Sequence, residues 1–246
     1  MNWLLLRGLA RQSEHWGDFS TRLANAVPGD TVYRLDLPGT GARCDSVSPD
    51  TIPAIREYVQ GFAAGLPGPL ILVGLSLGGM VALDWANLRP QGIAGVVAIN
   101  SSSGWSPLWH RLKPNRWGTV LKLMTDPRVE RREAAILSLT SNRKHPPSVL
   151  GHWRDLQEQC PVTRRTAWRQ IRAAARYRPP AYPPDMPTLL LASRADRMVS
   201  SRCSEQLVRL WGCELAEHPW AGHDLPLDDP EWVLARLEAF RRLKTG

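Results

Sequence analysis

The chain has 246 residues, 43% of them hydrophobic and 22% charged, which suits one globular domain, or one domain with a large insertion, and excludes a disordered chain. No apolar run reaches the roughly 18 residues of a membrane span, and the opening residues 1–7 lack a basic leader and a cleavage site, so neither a transmembrane segment nor a signal peptide is expected. The formal net charge is +8, and residues 104–183 hold 16 basic against 5 acidic side chains, so the positive charge sits in the middle third.

Residues 3–6 form a short apolar run ending at Gly8 and read as a buried strand. Trp16, Phe19, Leu23 and Val27 recur at helical spacing over 16–27. A second strand covers 31–37 and stops at Pro38-Gly39. Ile55, Tyr58, Val59 and Phe62 predict a helix over 53–64, followed by a strand over 70–75. A helix over 80–88 ends at Arg89-Pro90, and a fourth strand covers 93–99. Such alternation predicts a parallel sheet with helices on both faces. It breaks after Asn100: residues 104–183 hold helical stretches, no convincing strand and five of the eleven tryptophans. A strand over 188–192, a helix over 204–211, a strand over 213–217 and a helix over 230–243 then resume the pattern. The expected division is a core of 1–103 and 184–246 carrying a helical insertion over 104–183.

The four cysteines (Cys44, Cys160, Cys203, Cys213) are scattered and form no Cys-x-x-Cys pair. Neither a zinc site nor a disulfide framework is expected, and a reduced, cytoplasmic setting is the default.

The segment with the clearest chemistry is the run from Leu70 to Met80. A buried strand leads directly into Gly74-Leu75-Ser76-Leu77-Gly78 and then a helix. In a strained strand-to-helix corner the serine hydroxyl is exposed, and Gly74 and Gly78 remove the side chains that would collide. The helix N-terminus also aims free N–H groups at developing negative charge. A nucleophilic serine needs a base, and the base needs an orienting carboxylate. His223 follows the last strand and Asp196 follows the strand over 188–192, which puts both at the sheet edge that carries Ser76. His218 is the rival base, and His15 fits packing at a helix start. His110, His145 and His152 lie in the insertion.

These motifs resemble those of serine hydrolases of the α/β-hydrolase superfamily. Asp36-Leu37-Pro38-Gly39-Thr40-Gly41 is similar to that family's Asp-x-x-Gly-x-Gly loop, and Gly74–Gly79 to its nucleophile elbow. Asp196 and Gly222-His223 match its acid and histidine loops. Arg7-Gly8-Leu9 stands where the family has His-Gly, with Arg7 as the departure. The resemblance implies an α/β-hydrolase fold in which residues 104–183 correspond to the variable cap; a second departure is that only two strands precede the elbow, so counting apolar runs gives a sheet of about six strands where the family usually has eight. It implies Ser76 as nucleophile, His223 as base, Asp196 as acid, and backbone N–H donors at Leu9 and Leu77. It implies cleavage of a small-molecule ester, with no metal and no cofactor.

Arg165, Arg169, Arg172 and Arg176 form one stripe on a helix of the insertion. It reads either as a solvated face or as a docking stripe for an acidic or phosphorylated partner. The second reading resembles esterases that release pimeloyl groups from an acyl-carrier-protein methyl ester, and a coenzyme A thioester would fit the same charge. Nucleic acid is not expected, because no binding motif accompanies the charge. A non-catalytic binding protein of the same fold is the alternative from another class.

Overall fold

The computed structural model describes residues 1–242. Six parallel strands, β1 (Asn2–Leu6), β2 (Thr31–Leu35), β3 (Leu70–Leu75), β4 (Ile93–Ile99), β5 (Thr188–Ser193) and β6 (Glu214–His218), form one sheet in the order β2-β1-β3-β4-β5-β6. The helices are α1 (Phe19–Ala26), α2 (Ile52–Ala63), α3 (Leu77–Asn87), α4 (Leu108–Arg111), α5 (Trp117–Thr125), α6 (Val129–Thr140), α7 (Pro147–Gln159), α8 (Arg164–Arg176), α9 (Arg202–Trp211), α10 (Leu225–Asp228) and α11 (Pro230–Arg242). The expected helix end at Leu243 lies outside the described residues.

Period-2 alternation divides the strand side chains between two cores. Leu4, Leu6 and Leu72 pack with α2, α3 and α9 on one face. Trp3, Leu5, Ile71 and Val73 pack with α1 and α11 on the other. The inner strands β1, β3, β4 and β5 are therefore largely apolar runs, because both their faces are covered, whereas the edge strands β2 and β6 carry Arg34, Glu214 and Glu217.

The chain runs outward from β1 to β2, then returns to place β3 on the other side of β1. This reversal brings the loops after β1 and β3 together at the carboxyl edge, where doubly wound sheets bind ligands. The segment between β4 and β5 holds α4 to α8.

Several boundaries differ from the sequence expectation. The helix expected over 16–27 is split, with a 3-10 turn at Ser13–Trp16 and α1 separated by Gly17-Asp18. The helix expected from residue 80 starts at Leu77, directly after Ser76. The cysteine expectation is corrected more sharply. Cys44 and Cys160 form a disulfide, with Cα atoms 6.0 Å apart. They are separated by 116 residues in the chain, and the end of α7 meets the loop after β2 only in the folded molecule.

Candidate active site

β3 is buried along its whole length and ends at the corner expected for Ser76. Ser76 has φ 56° and ψ −114°, a conformation disfavoured for a residue with a side chain. Gly74 and Gly78 allow it: a Cβ on Gly74 would fall on the Gly78 backbone, and one on Gly78 would fall on the Leu6 carbonyl. Packing holds the strain. Ser76 N donates to Ile99 O at 2.8 Å, and Ser101 Oγ donates to Ser76 O.

Asp196 is 1% exposed. Its Oδ1 accepts from the backbone N–H groups of Met198 (2.7 Å) and Val199 (3.0 Å). Its Oδ2 lies 2.7 Å from Nδ1 of the buried His223. Burial alone would lower the His223 pKa, but the Asp196 charge and hydrogen bond outweigh it, with help from Asp224, and the net direction is upward.

Ser76 and His223 both line a cavity of about 410 Å3, as do Leu9 and Leu77. Leu77 opens α3, so its N–H has no partner within the helix. The remaining walls are mostly aliphatic and come from the β4–β5 segment, including Leu112, Val120, Ile136 and Ile171. Of the five tryptophans in that segment, Trp117 lines the cavity. Trp153 instead packs on His15 and under the Arg11 guanidinium, and Trp105 lies under Arg178.

Two of the other histidines take structural places. His218 is fully engaged: Nε2 lies 3.1 Å from Asp229 Oδ2, and Nδ1 accepts from Ala221 N at 3.0 Å. His15 is buried, and burial first, then the nearby Arg11 and Arg7, hold its pKa well below the ordinary value. Asp36 of the glycine-rich loop accepts from Ser13 N (2.5 Å) and Ala42 N (2.9 Å), so it braces two loops away from the cavity.

Arg7 makes a buried bidentate pair with Asp224, at 3.1 and 2.5 Å, next to His223. The end of β1 is thereby tied to the histidine loop. Asn100 is a further residue that sequence reasoning missed. At φ 46° after β4, its amide donates to His223 O (2.8 Å) and Ser193 Oγ (3.1 Å) and accepts from Ser193 N (2.7 Å). An asparagine closing a buried strand was the available signal, because asparagine tolerates the left-handed region.

In the arginine stripe, Arg169 donates to Ser48 O, while Arg172 and Arg176 pair with Asp50 at 3.2 and 3.6 Å. Arg165 is exposed. The stripe thus lies along the loop before α2, and Arg172 and Arg176 remain more than half exposed.

The geometry is that of a hydrolase fold with a serine corner, and the chain belongs to the alpha/beta hydrolase family, whose model matches residues 3–236. Among solved structures it is similar to an enol-lactonase from Burkholderia xenovorans LB400 (TM-score 0.80, 19% identity, 98% of this chain and 91% of that one). It is also similar to a thermophilic esterase from Thermogutta terrifontis (TM-score 0.75, 22% identity, 98% and 89%). Among curated relatives, a pimeloyl-[acyl-carrier protein] methyl ester esterase of Xylella fastidiosa (strain M12) is 34% identical over 85 residues, 35% of this chain and 31% of the relative. One from Salmonella newport (strain SL254) is 29% identical over 125 residues, 50% of this chain and 46% of the relative. The chain therefore spans between about a third and a half of the length of these relatives.

Proposed function

We propose that the protein is a cofactor-independent serine esterase that cleaves carboxylic esters of a small to medium acyl group. The observation that carries the reading is the buried Asp196–His223 hydrogen bond on the wall of a cavity that Ser76 also lines. With Nδ1 held by Asp196, His223 keeps Nε2 for the proton of Ser76 Oγ, which attacks the ester carbonyl. The N–H groups of Leu9 and Leu77 stabilise the oxyanion, each worth roughly 3–4 kcal/mol. His223 then protonates the leaving alcohol and activates the water that releases the acyl group. Residues 104–183 act as a cap on the core of 1–103 and 184–246, and the aliphatic cap walls hold the acyl chain.

A second reading has a specific observation in its favour. The curated relatives named above act on an acyl-carrier-protein ester, and Arg165, Arg172 and Arg176 offer exposed charge on the cap. A carrier-linked or coenzyme A-linked acyl ester or thioester is the substrate in that reading. We also propose a cytoplasmic location. There the thiol pool would hold Cys44 and Cys160 reduced, and thiol alkylation before and after reduction reads which form prevails in cells.

The test compares wild type with Ser76→Ala on p-nitrophenyl esters from acetate to palmitate. Ser76-dependent turnover that peaks at one chain length is expected. Folded wild type that is inert on free esters but cleaves a carrier-linked ester would select the second reading. Inertness on both, without fluorophosphonate labelling of Ser76, would leave a non-catalytic binding protein.

A further inference from the structure

The end of α6 is stitched to both loops that carry the candidate base and acid. Asp224 N donates to Thr140 O at 2.8 Å. The Asn142 amide donates to Ala195 O (3.0 Å), one residue before Asp196, and to Trp220 O (2.9 Å), three residues before His223. Arg197, one residue after Asp196, donates to Ser141 O. The fully buried Asp228 completes the junction. Its Oδ2 accepts from Asn142 N (2.8 Å) and from Gly222 N (2.6 Å), and its Oδ1 accepts from Ser141 Oγ. A Cβ on Gly222 would lie 2.5 Å from Thr140 O, so only glycine lets the segment come this close. On the same helix, Ile136 and Leu139 line the cavity.

We infer that Asn142 and Asp228 are positioning residues that hold the Asp196 and His223 loops in mutual register, so that the β4–β5 insertion is part of the catalytic framework as well as its cover. This rests on the serine-esterase reading above. One side chain of the insertion, Asn142, spans both loops, as Asn100 at the end of β4 ties Ser193 to His223 from within the core. A segment that only roofed the cavity would need no contact with Ala195, Trp220 or Gly222.

Asn142 is exposed, so its side chain can be changed with little effect on folding. Asn142→Asp keeps the shape and sets a carboxylate against two carbonyl oxygens, whereas Asn142→Ala only removes the donors. Wild type and both variants are assayed for kcat, KM, Tm and the rate at which a fluorophosphonate labels Ser76. The expected result is a kcat about tenfold lower in Asn142→Asp, or about 1.4 kcal/mol, with a smaller fall in Asn142→Ala. KM and Tm stay near wild type, and labelling slows in parallel with kcat. Wild-type kcat and labelling in both variants would overturn the inference. So would a raised KM with kcat intact, which would mark a wall of the cavity and nothing more. A kcat loss matched by a large fall in Tm would also overturn it, as general destabilisation. A wild type that neither hydrolyses esters nor labels would remove the esterase reading itself, and the inference with it.

Discussion

His223 is pulled in two directions. Burial disfavours its charged form, while the Asp196 carboxylate at 2.7 Å and the nearby Asp224 favour it more strongly. Its pKa is therefore raised, and protonation removes the base form. The acid limb of kcat/KM should have its midpoint above the ordinary value of about 6.5, with activity lost as pH falls through it. In Asp196→Asn that limb should move downward and kcat should drop by roughly four orders of magnitude. A pH–rate profile of the two proteins checks both, and a wild-type limb at or below the ordinary value would count against the assignment. The places of Ser76, Asp196 and His223 at one sheet edge were legible in the sequence because Ser76 and Asp196 follow strands buried along their whole length and His223 lies in the loop after the last strand. Asn100, Asn142 and Asp228 were not. Their partners lie 93, 53 and 86 residues away in the chain, and no local spacing encodes such pairings.

Among the helices, α3 and α8 differ most from their sequence reading. Gly78 and Gly79 are poor helix formers, and the helix expected from the sequence begins only after them, at residue 80. The serine corner overrides that propensity, because the helix must begin at Leu77 to turn the chain away from the sheet. α8 carries the arginine stripe, and its anchoring residue is Gln170, which is fully buried. Gln170 Oε1 accepts from Ala10 N at 2.8 Å, and its amide donates to Pro38 O at 3.4 Å. Ala10 adjoins Leu9, so this side chain supports the loop proposed to supply an oxyanion donor. Gln170→Ala leaves the Ala10 N–H without its partner and should cost roughly 1–3 kcal/mol. A thermal scan should show this as a fall in Tm of several degrees. An unchanged Tm would mean that water replaces the amide.

At the scale of the molecule, the six-stranded parallel sheet followed from counting apolar runs, and its covered faces explain why the runs of the inner strands are nearly continuous. The disulfide was hidden because composition and spacing carry no information about a pair 116 residues apart. It closes a long loop, and in the chain-entropy account such a crosslink stabilises by roughly 2–4 kcal/mol. Cys44→Ser should therefore melt lower than oxidised wild type, and a reducing agent should erase the difference. Equal melting in oxidising buffer would show that the bond is not formed in solution. The path of the chain has another consequence. β4 and β5 are parallel neighbours in the sheet, so the segment that holds α4 to α8 leaves at the carboxyl edge after Ile99 and must cross back to the opposite edge to re-enter at Thr188. Such a segment can be exchanged as a cassette without moving a strand only if its replacement makes the same crossing. The junction at residues 140–142 sets the condition for a successful graft. A foreign cassette must bring its own amide to bridge Ala195 and Trp220 and its own donors for Asp228. One without them would reshape the cavity and still slow the chemistry on every substrate it admits.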